Sequence, residues 1–368
     1  MARLPLEGLT VVAIEQAVAA PFTTSRLADA GAKVIKIERP EGDFARGYDD
    51  VAKGQSSYFV WLNRGKESVT LDLASPEGKA ELTRLLDGAD VLVQNLKRGA
   101  LAKLGFSFDR LARDWPRLIT CSITGYGEGG PMADRKAYDL LIQAESGLCS
   151  ITGGPDEPAR VGISLVDIAT GATAHAAILE ALIGRGVTGK GANISVSMFD
   201  VMADWLTVPL LNHEGGKSPK RLGMAHPSIA PYGVFTARDG QQVLISVQSD
   251  REWRKLADVF LGQPELGSDP RFATNVARVA NRAETDAIVA QGFARMGADD
   301  AIAALLRADV ALASVSDMAR LSDHPHLRRI TVDTPNGPVS YPAPAARFTG
   351  DERVYGPVPA LNRMEVKA

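Results

Sequence analysis

The chain has 368 residues, 45% hydrophobic and 23% charged, with a formal net charge of -3. That length suits two lobes better than one core, and charges of both signs are interspersed, which excludes a basic footprint for nucleic acid or for an anionic membrane surface. Two cysteines, Cys121 and Cys149, exclude a disulfide scaffold and favour a reducing compartment.

The first stretch, MARLPLEGLT, has no apolar core of signal-peptide length. No apolar run is expected to cross a bilayer, so a cytoplasmic location is expected. TVVAIE (Thr10–Glu15) reads as a buried strand. PFTTSRLADAGA follows at helical spacing, with Pro21 in the first turn and Gly31 as its stop. KVIKIE (Lys33–Glu38) is the next strand, so the unit is βαβ with parallel strands and a right-handed crossover. SPEGKAELTRLLDGA reads as a helix capped by Ser75, with Pro76 at its first position and Glu77 at its positive end. DVLVQNL is a strand, FDRLARDWP a short helix and LITCSITGYG another strand. The fold class is α/β and doubly wound, with a ligand expected at the carboxyl ends of the strands.

After Gly171 an alanine-rich helix is expected to end at Gly184 or Gly186, followed by a turn and the strand in VTGKGANISVSMFD. YGVFTARDGQQVLISVQS reads as a hairpin around Asp239-Gly240, and DREWRKLADVFL, RAETDAIVAQGFARM and ADDAIAALLRA as amphipathic helices. The expected organisation is a large domain over 1–205, a linker and smaller α+β domain over 206–325, and a return to the large domain over 326–368. The proline-rich tail carries one turn signal at Asn336-Gly337.

Several residues could carry chemistry. The first βα turn, EQAVAAPFTT, lacks the glycines of a dinucleotide fingerprint, although Glu38 sits where its ribose-binding acid would. Arg39, next along, is either a solvated strand-end charge or a phosphate contact. Lys97, Arg98 and Lys103 follow a strand and suit a polyanion, or else form a solvated face. Ser122–Gly147 is glycine-rich, which permits close backbone approach to a ligand, and it carries Lys136, Tyr138 and Asp139. Asp167, in GISLVDIATG, is either a helix cap or strand-end acid, or a nucleophilic or basic carboxylate. No serine elbow competes with it. His324 and His326 could pair on a metal, but the proline between them indicates a loop, and no metal is expected. These patterns alone reach a two-lobed α/β enzyme with an anionic ligand.

Eight stretches carry a resemblance: LPLEGLTVVAIEQAVAAPFTTSRLADAGAKVIKIERPEGDFARG, NRGKESVTLDL, DVLVQNLKRGALAKLGF, SITGYGEGGP, KAYDLLIQAESG, SLVDIATG, TGKGANISVSMFD and DPRFATNVARVANR. Together, from about Leu6 to about Phe348, they resemble the class III CoA-transferases of the formyl-CoA transferase and CaiB-BaiF type. The shorter dicarboxylate enzymes, acting on mesaconate, itaconate, citramalate or malate, are the nearest in appearance. The resemblance implies a Rossmann-like large domain, a small domain and an interlocked homodimer. It implies no permanently bound cofactor, with coenzyme A and acyl-CoA as substrates and a small carboxylic acid as the other reactant. It places the nucleophile on Asp167. It places CoA contacts on Ala17, Val18, Arg39, Leu71, Asn95, Leu96, Lys103, Leu104, Lys136 and Tyr138.

Two departures bear on the substrate. Formyl-CoA transferase has glutamine where this chain has Val18, and a tetraglycine loop where this chain reads HPSIAPYGVF (His226–Phe235). Oxalate and formyl-CoA are therefore not expected as substrates. The related α-methylacyl-CoA racemases carry histidine at the position of Tyr138, and tyrosine, ordinarily ionising near ~10, is a poor base. Transfer is favoured over isomerisation and over a non-catalytic acyl-CoA-binding role. Arg46, in EGDFARG, is the candidate for the remote carboxylate of a dicarboxylic acid. The small residues Ala169 and Gly171 are expected to leave room for the reacting groups.

Overall fold

The computed structural model describes residues 4–349 and 353–361. Contacts divide the chain into two units: the first holds 1–149, 160–211 and 328–368, the second 150–159 and 212–327. The sequence reading began the second unit at 206 and ended it at 325. It also left 150–159 in the large domain, whereas this loop bonds within the second unit, Gly153 O accepting from Gly223 N at 2.9 Å.

In the first unit the elements run β1 (Thr10–Ile14), α1 (Ala19–Asp29), β2 (Lys33–Glu38), α2 (Ser57–Leu62), β3 (Lys66–Thr70), α3 (Pro76–Leu86), β4 (Val91–Gln94), α4 (Ala100–Lys103), α5 (Phe108–Asp114) and β5 (Ile119–Thr124). There follow α6 (Asp139–Glu145), α7 (Leu148–Ile151), α8 (Leu165–Thr188), β6 (Asn193–Ser197), α9 (Met198–Trp205) and α10 (Thr207–Glu214). Six strands form one sheet in the order β3-β2-β1-β4-β5-β6, and every pairing is parallel. Strand order reverses between β1 and β4, so a crevice opens beyond their carboxyl ends.

Strand β1 shows why this sheet is apolar throughout. Val11 and Ala13 point into a core shared with Leu27 of α1 and with Ala174 and Ile178 of α8. Val12 and Ile14 point the other way, against Leu82 and Leu86 of α3 and Leu111 of α5. Both faces are covered, so a continuous apolar run is needed.

Helix α8 departs from expectation at both ends. It begins at Leu165, with Asp167 inside its first turn, and continues through Gly184 and Gly186 to Thr188. Gly189, at φ 71°, stops it. Tertiary bonds override the weak propensity of the two inner glycines: Arg185 donates to Asp90 Oδ1 at 2.9 Å and to the Arg117 carbonyl at 3.2 Å. By length and composition α8 could cross a membrane, contrary to the sequence reading. Here it lies on α1, and a Cβ at Gly171 would meet Ala19 O at 2.5 Å and the Phe22 Cβ at 3.0 Å. Gly171 and Ala169 therefore serve helix packing and leave no room for reacting groups.

The second unit contains β7 (Tyr232–Thr236), β8 (Gln242–Ser246), α11 (Asp250–Lys255), α12 (Asn275–Ala280), α13 (Arg282–Ala294), α14 (Ala298–Arg307), β9 (Ala311–Ser314) and α15 (Met318–Ser322). The strands form an antiparallel sheet in the order β7-β8-β9. Trp253, Phe260, Phe272 and Phe293 fill its core. Arg278, fully buried there, spends its guanidinium on the Ala230 and Phe272 carbonyls and Asp250. The chain then returns to the first unit as the hairpin β10 (Arg329–Val332) and β11 (Val339–Pro342).

Candidate active site

The crevice at the strand-order reversal is bracketed by one side chain. Asn95 follows β4, accepts from Gln16 N at 3.0 Å and donates to Gln16 O at 2.8 Å. It thereby ties the end of β4 to the end of β1. Ala17 comes next, at φ 64°, a left-handed backbone that alanine adopts only under constraint. The constraint is Asp43, whose Oδ1 accepts from Ala17 N at 3.1 Å.

Asp43 belongs to a buried ionic network that sequence reading missed. Lys36 Nζ contacts Asp43 at 2.8 Å and Glu15 at 3.5 Å, and Lys66 Nζ contacts Glu15 at 2.7 Å. The side chains of Glu15, Lys36, Lys66 and Asp43 are all fully buried or nearly so. Burial drives the Lys66 ammonium down to about 8, against the pull of Glu15. The sequence signal was a charge inside each buried strand, Lys36 within KVIKIE and Glu15 closing TVVAIE.

Two cavities open along the crevice. One, of about 590 Å³, is lined by Asp167, Ala17, Val18, Asn95, Leu96, Lys136 and Tyr138 among others. The other, of about 640 Å³, is lined by Arg39, Leu71, Leu96, Lys103 and Leu104 among others. Every residue assigned to CoA by resemblance thus lines one of them. Gln16, Leu96 and Lys97 line both, so the cavities adjoin. The three cations among the residues assigned to CoA are divided: Arg39 and Lys103 lie in one cavity, Lys136 in the other. Asn95 is committed to Gln16, so it shapes the crevice from its edge.

Asp167 is the third residue of α8 and is partly buried. It does not cap the helix, because Asp139 does that from another element. Asp139 Oδ1 accepts from Val166 N at 2.7 Å and from Asp167 N at 3.2 Å. Among the described residues no donor reaches the Asp167 carboxylate. Burial first, and then the Asp139 charge, raise its pKa to about 7. The helix N-terminus favours an anion there, but desolvation outweighs it.

Tyrosines flank it. Phe44, Tyr48 and Tyr58 meet in sequence, the first pair tilted and the second edge-on, with centroids 5.7 and 5.6 Å apart, and all three line the Asp167 cavity. Burial, then the charges of Asp43 and Asp167, push the Tyr48 phenol up to about 12. It therefore stays protonated as a donor at neutral pH. Tyr48, Tyr58 and Gln16 were not singled out as site residues, and Asp139 was noted only within the glycine-rich stretch, since no spacing rule links positions 16, 48, 58 and 139 before the sheet assembles.

Arg46 contradicts the sequence reading. Its Nε and Nη2 donate to Glu38 at 2.8 and 2.7 Å. Its guanidinium lies 3.7 Å from the Phe59 ring centroid and reaches the Pro359 carbonyl. It lines neither cavity. The reason is Glu38, whose buried carboxylate requires a partner. Burial would raise the Glu38 pKa, but Arg46, Lys36 and Ser68 outweigh it and hold it at about 2. Glu38 is equally unavailable to a ribose. His324 and His326 are exposed, with ring centroids 5.7 Å apart. No group of three metal-ligating side chains occurs among the described residues.

With this geometry established, relatives can be compared. Residues 6–364 match the family model described as CoA-transferase family III. A protein of Acetobacter aceti named acetyl-CoA:oxalate CoA-transferase is 37% identical, covering 94% of this chain and 90% of that one. One from Agrobacterium fabrum, named succinate–glutarate CoA-transferase, is 41% identical over 77% of this chain and 73% of its own. The crystal structure of a CAIB/BAIF family protein from Brucella suis superposes with a TM-score of 0.82 at 39% identity, covering 98% of this chain and 97% of that one.

Proposed function

The chain belongs to CoA-transferase family III, and from that premise we propose that it moves coenzyme A from an acyl-CoA to a small dicarboxylic acid, with Asp167 as the covalent carrier. The observation that carries this reading is the Asp167 carboxylate: it lines a cavity, no donor reaches it, and a second cavity adjoins. The relatives' printed substrates, oxalate in one case and succinate and glutarate in the other, support the dicarboxylate class.

The second cavity suits the nucleotide end of CoA, since Arg39 and Lys103 line it. The thioester end then extends past Gln16, Leu96 and Lys97 to Asp167. An Asp167 oxygen attacks the thioester carbonyl carbon, the C–S bond breaks, and CoA leaves as thiolate. The product is a mixed anhydride. The thiolate next attacks the Asp167 carbonyl carbon, which releases the first acid and leaves an aspartyl-CoA thioester. The acceptor carboxylate attacks that carbon and expels thiolate again. Thiolate attack on the acceptor carbonyl then frees Asp167. No net proton is consumed, and each step exchanges one activated acyl group for another. The protonated Tyr48 hydroxyl is placed to donate to developing negative charge in this cavity.

A cytoplasmic homodimer is part of the same reading. Its support is the apolar surface left uncovered on the first unit, at Ile183, Val187, Trp205 and Leu211. Light scattering at the mass of one chain, 39.1 kDa, from an active preparation would refute the dimer. The activity is tested with succinyl-CoA against oxalate, glutarate, mesaconate and butyrate in deuterated water, read by mass spectrometry. The expected result is acceptor-dependent CoA exchange with no deuterium at the α-carbon. Deuterium entry without exchange would establish an isomerase, and binding without turnover a non-catalytic protein.

A further inference from the structure

We propose that Gln143 is a positioning residue for the nucleophile, and that with Asp139 it forms a clamp fixing the 161–167 segment and the negative field that Asp167 experiences. The inference rests on the reading of Asp167 as nucleophile and concerns how this chain holds it.

Gln143 lies on α6 and is fully buried, which is unusual for a glutamine. Its amide is used in full. Nε2 donates to Asp139 Oδ2 at 2.7 Å and to the Ile163 carbonyl at 3.4 Å, and Oε1 accepts from Val161 N at 2.9 Å. The other Asp139 oxygen accepts from Val166 N and Asp167 N. One i, i+4 pair on a short helix therefore engages four backbone groups of a seven-residue segment that ends on Asp167.

Packing contributes little to this segment before Val166. Ile163 is 55% exposed, and a Cβ on Gly162 would meet nothing within 4 Å. Val166 alone is fully buried, against Ile142, Met198 and Met202. Hydrogen bonds thus set the path of the chain from Val161 to Leu165, and the side-chain amide is their hub.

The chemistry of the hub matters as much as its geometry. A lysine or arginine at 143 would neutralise Asp139. A neutral amide fixes Asp139 while leaving its charge intact beside Asp167. The other titratable side chains lining its cavity are Lys97, Arg98, Asp134, Arg135, Lys136 and Arg160, with the tyrosines Tyr48, Tyr58 and Tyr138. Of the charged side chains among the described residues, only Asp139 is bonded to the backbone of Asp167 itself.

The test uses the full chain with succinyl-CoA as the probe. Rapid-quench mass spectrometry follows formation of the Asp167 adduct in wild type and in Gln143→Met, which keeps the shape and loses the bonds. Misplacement of the nucleophile should slow adduct formation about 10- to 100-fold at saturating probe, with KM changed by less than about threefold. Asp139→Asn retains an acceptor for both N–H groups but lacks the charge, so the acidic limb of its kcat/KM profile should move to lower pH by about one unit. Adduct formation at the wild-type rate in Gln143→Met, or an unmoved acidic limb in Asp139→Asn, overturns the clamp. If Gln143→Met does not fold, Gln143→Asn, which keeps an amide but withdraws it by one methylene from its partners, takes its place in the adduct measurement. Absence of any adduct in wild type would overturn the nucleophile reading and the clamp together, whereas an adduct insensitive to both substitutions overturns the clamp only.

Discussion

The Asp167 carboxylate is partly buried beside Asp139, with no donor among the described residues, and that condition has a measurable cost. Its pKa rises from an ordinary carboxylate value to about 7. The folded state therefore binds this proton more tightly than the unfolded chain. Stability from this group is full at pH below about 4 and is lost as pH rises through 7. Asp167→Asn should match wild type near pH 3 and exceed it at pH 8. The full shift corresponds to about 4 kcal/mol, and partial exposure reduces the expected gain to about 2 kcal/mol. Urea unfolding of both proteins at the two pH values reads the difference, and a variant less stable than wild type at pH 8 would contradict it. Arg46 stands at the opposite extreme, an arginine fully used by the fold. Arg46→Ala strands the buried Glu38 charge and should cost about 3 kcal/mol. The loss of kcat/KM should be equal for succinate and butyrate as acceptors, because Arg46 lines neither cavity of the crevice. A selective loss for succinate would restore it as a substrate contact.

At the scale of elements, the α1–α8 contact fixes where Asp167 sits. Gly171, one turn beyond Asp167, allows α8 to lie against the backbone of α1. Gly171→Ala forces a Cβ into Ala19 O, so we expect a loss of about 1–3 kcal/mol by overpacking together with a fall in kcat of tenfold or more. Thermal unfolding and initial rates check both, and an unchanged Tm would show that the contact is loose. Much of this scale was legible in the sequence. Apolar runs bounded by glycines gave β1 and β2, Ser75-Pro76 gave the start of α3, and Asp239-Gly240 gave the β7–β8 hairpin. The ends of α8 were not legible, because Arg185 and Asp90 hold its last turn from 95 residues apart. The partner of Arg46 was hidden for a related reason: Glu38 looks like a free strand-end acid until burial is known.

At the scale of the whole molecule, the site follows from strand order. With β1 and β4 adjacent, Gln16 and Asn95 meet, and residues near positions 17, 39, 96, 103, 136 and 167 gather around one crevice. The resemblance located these residues one by one, whereas composition and periodicity could only locate the crevice. Neither could separate the two cavities, since Lys136 and Lys103 look alike in sequence. The account requires that one carboxylate, Asp167, carry the acyl group and then CoA. The most direct measurement is hydroxylamine trapping after incubation with succinyl-CoA, followed by peptide mass spectrometry. The account predicts a hydroxamate at Asp167 alone, absent from Asp167→Asn, which should also have lost CoA transfer. Modification at another residue, or transfer at the wild-type rate by Asp167→Asn, would contradict it.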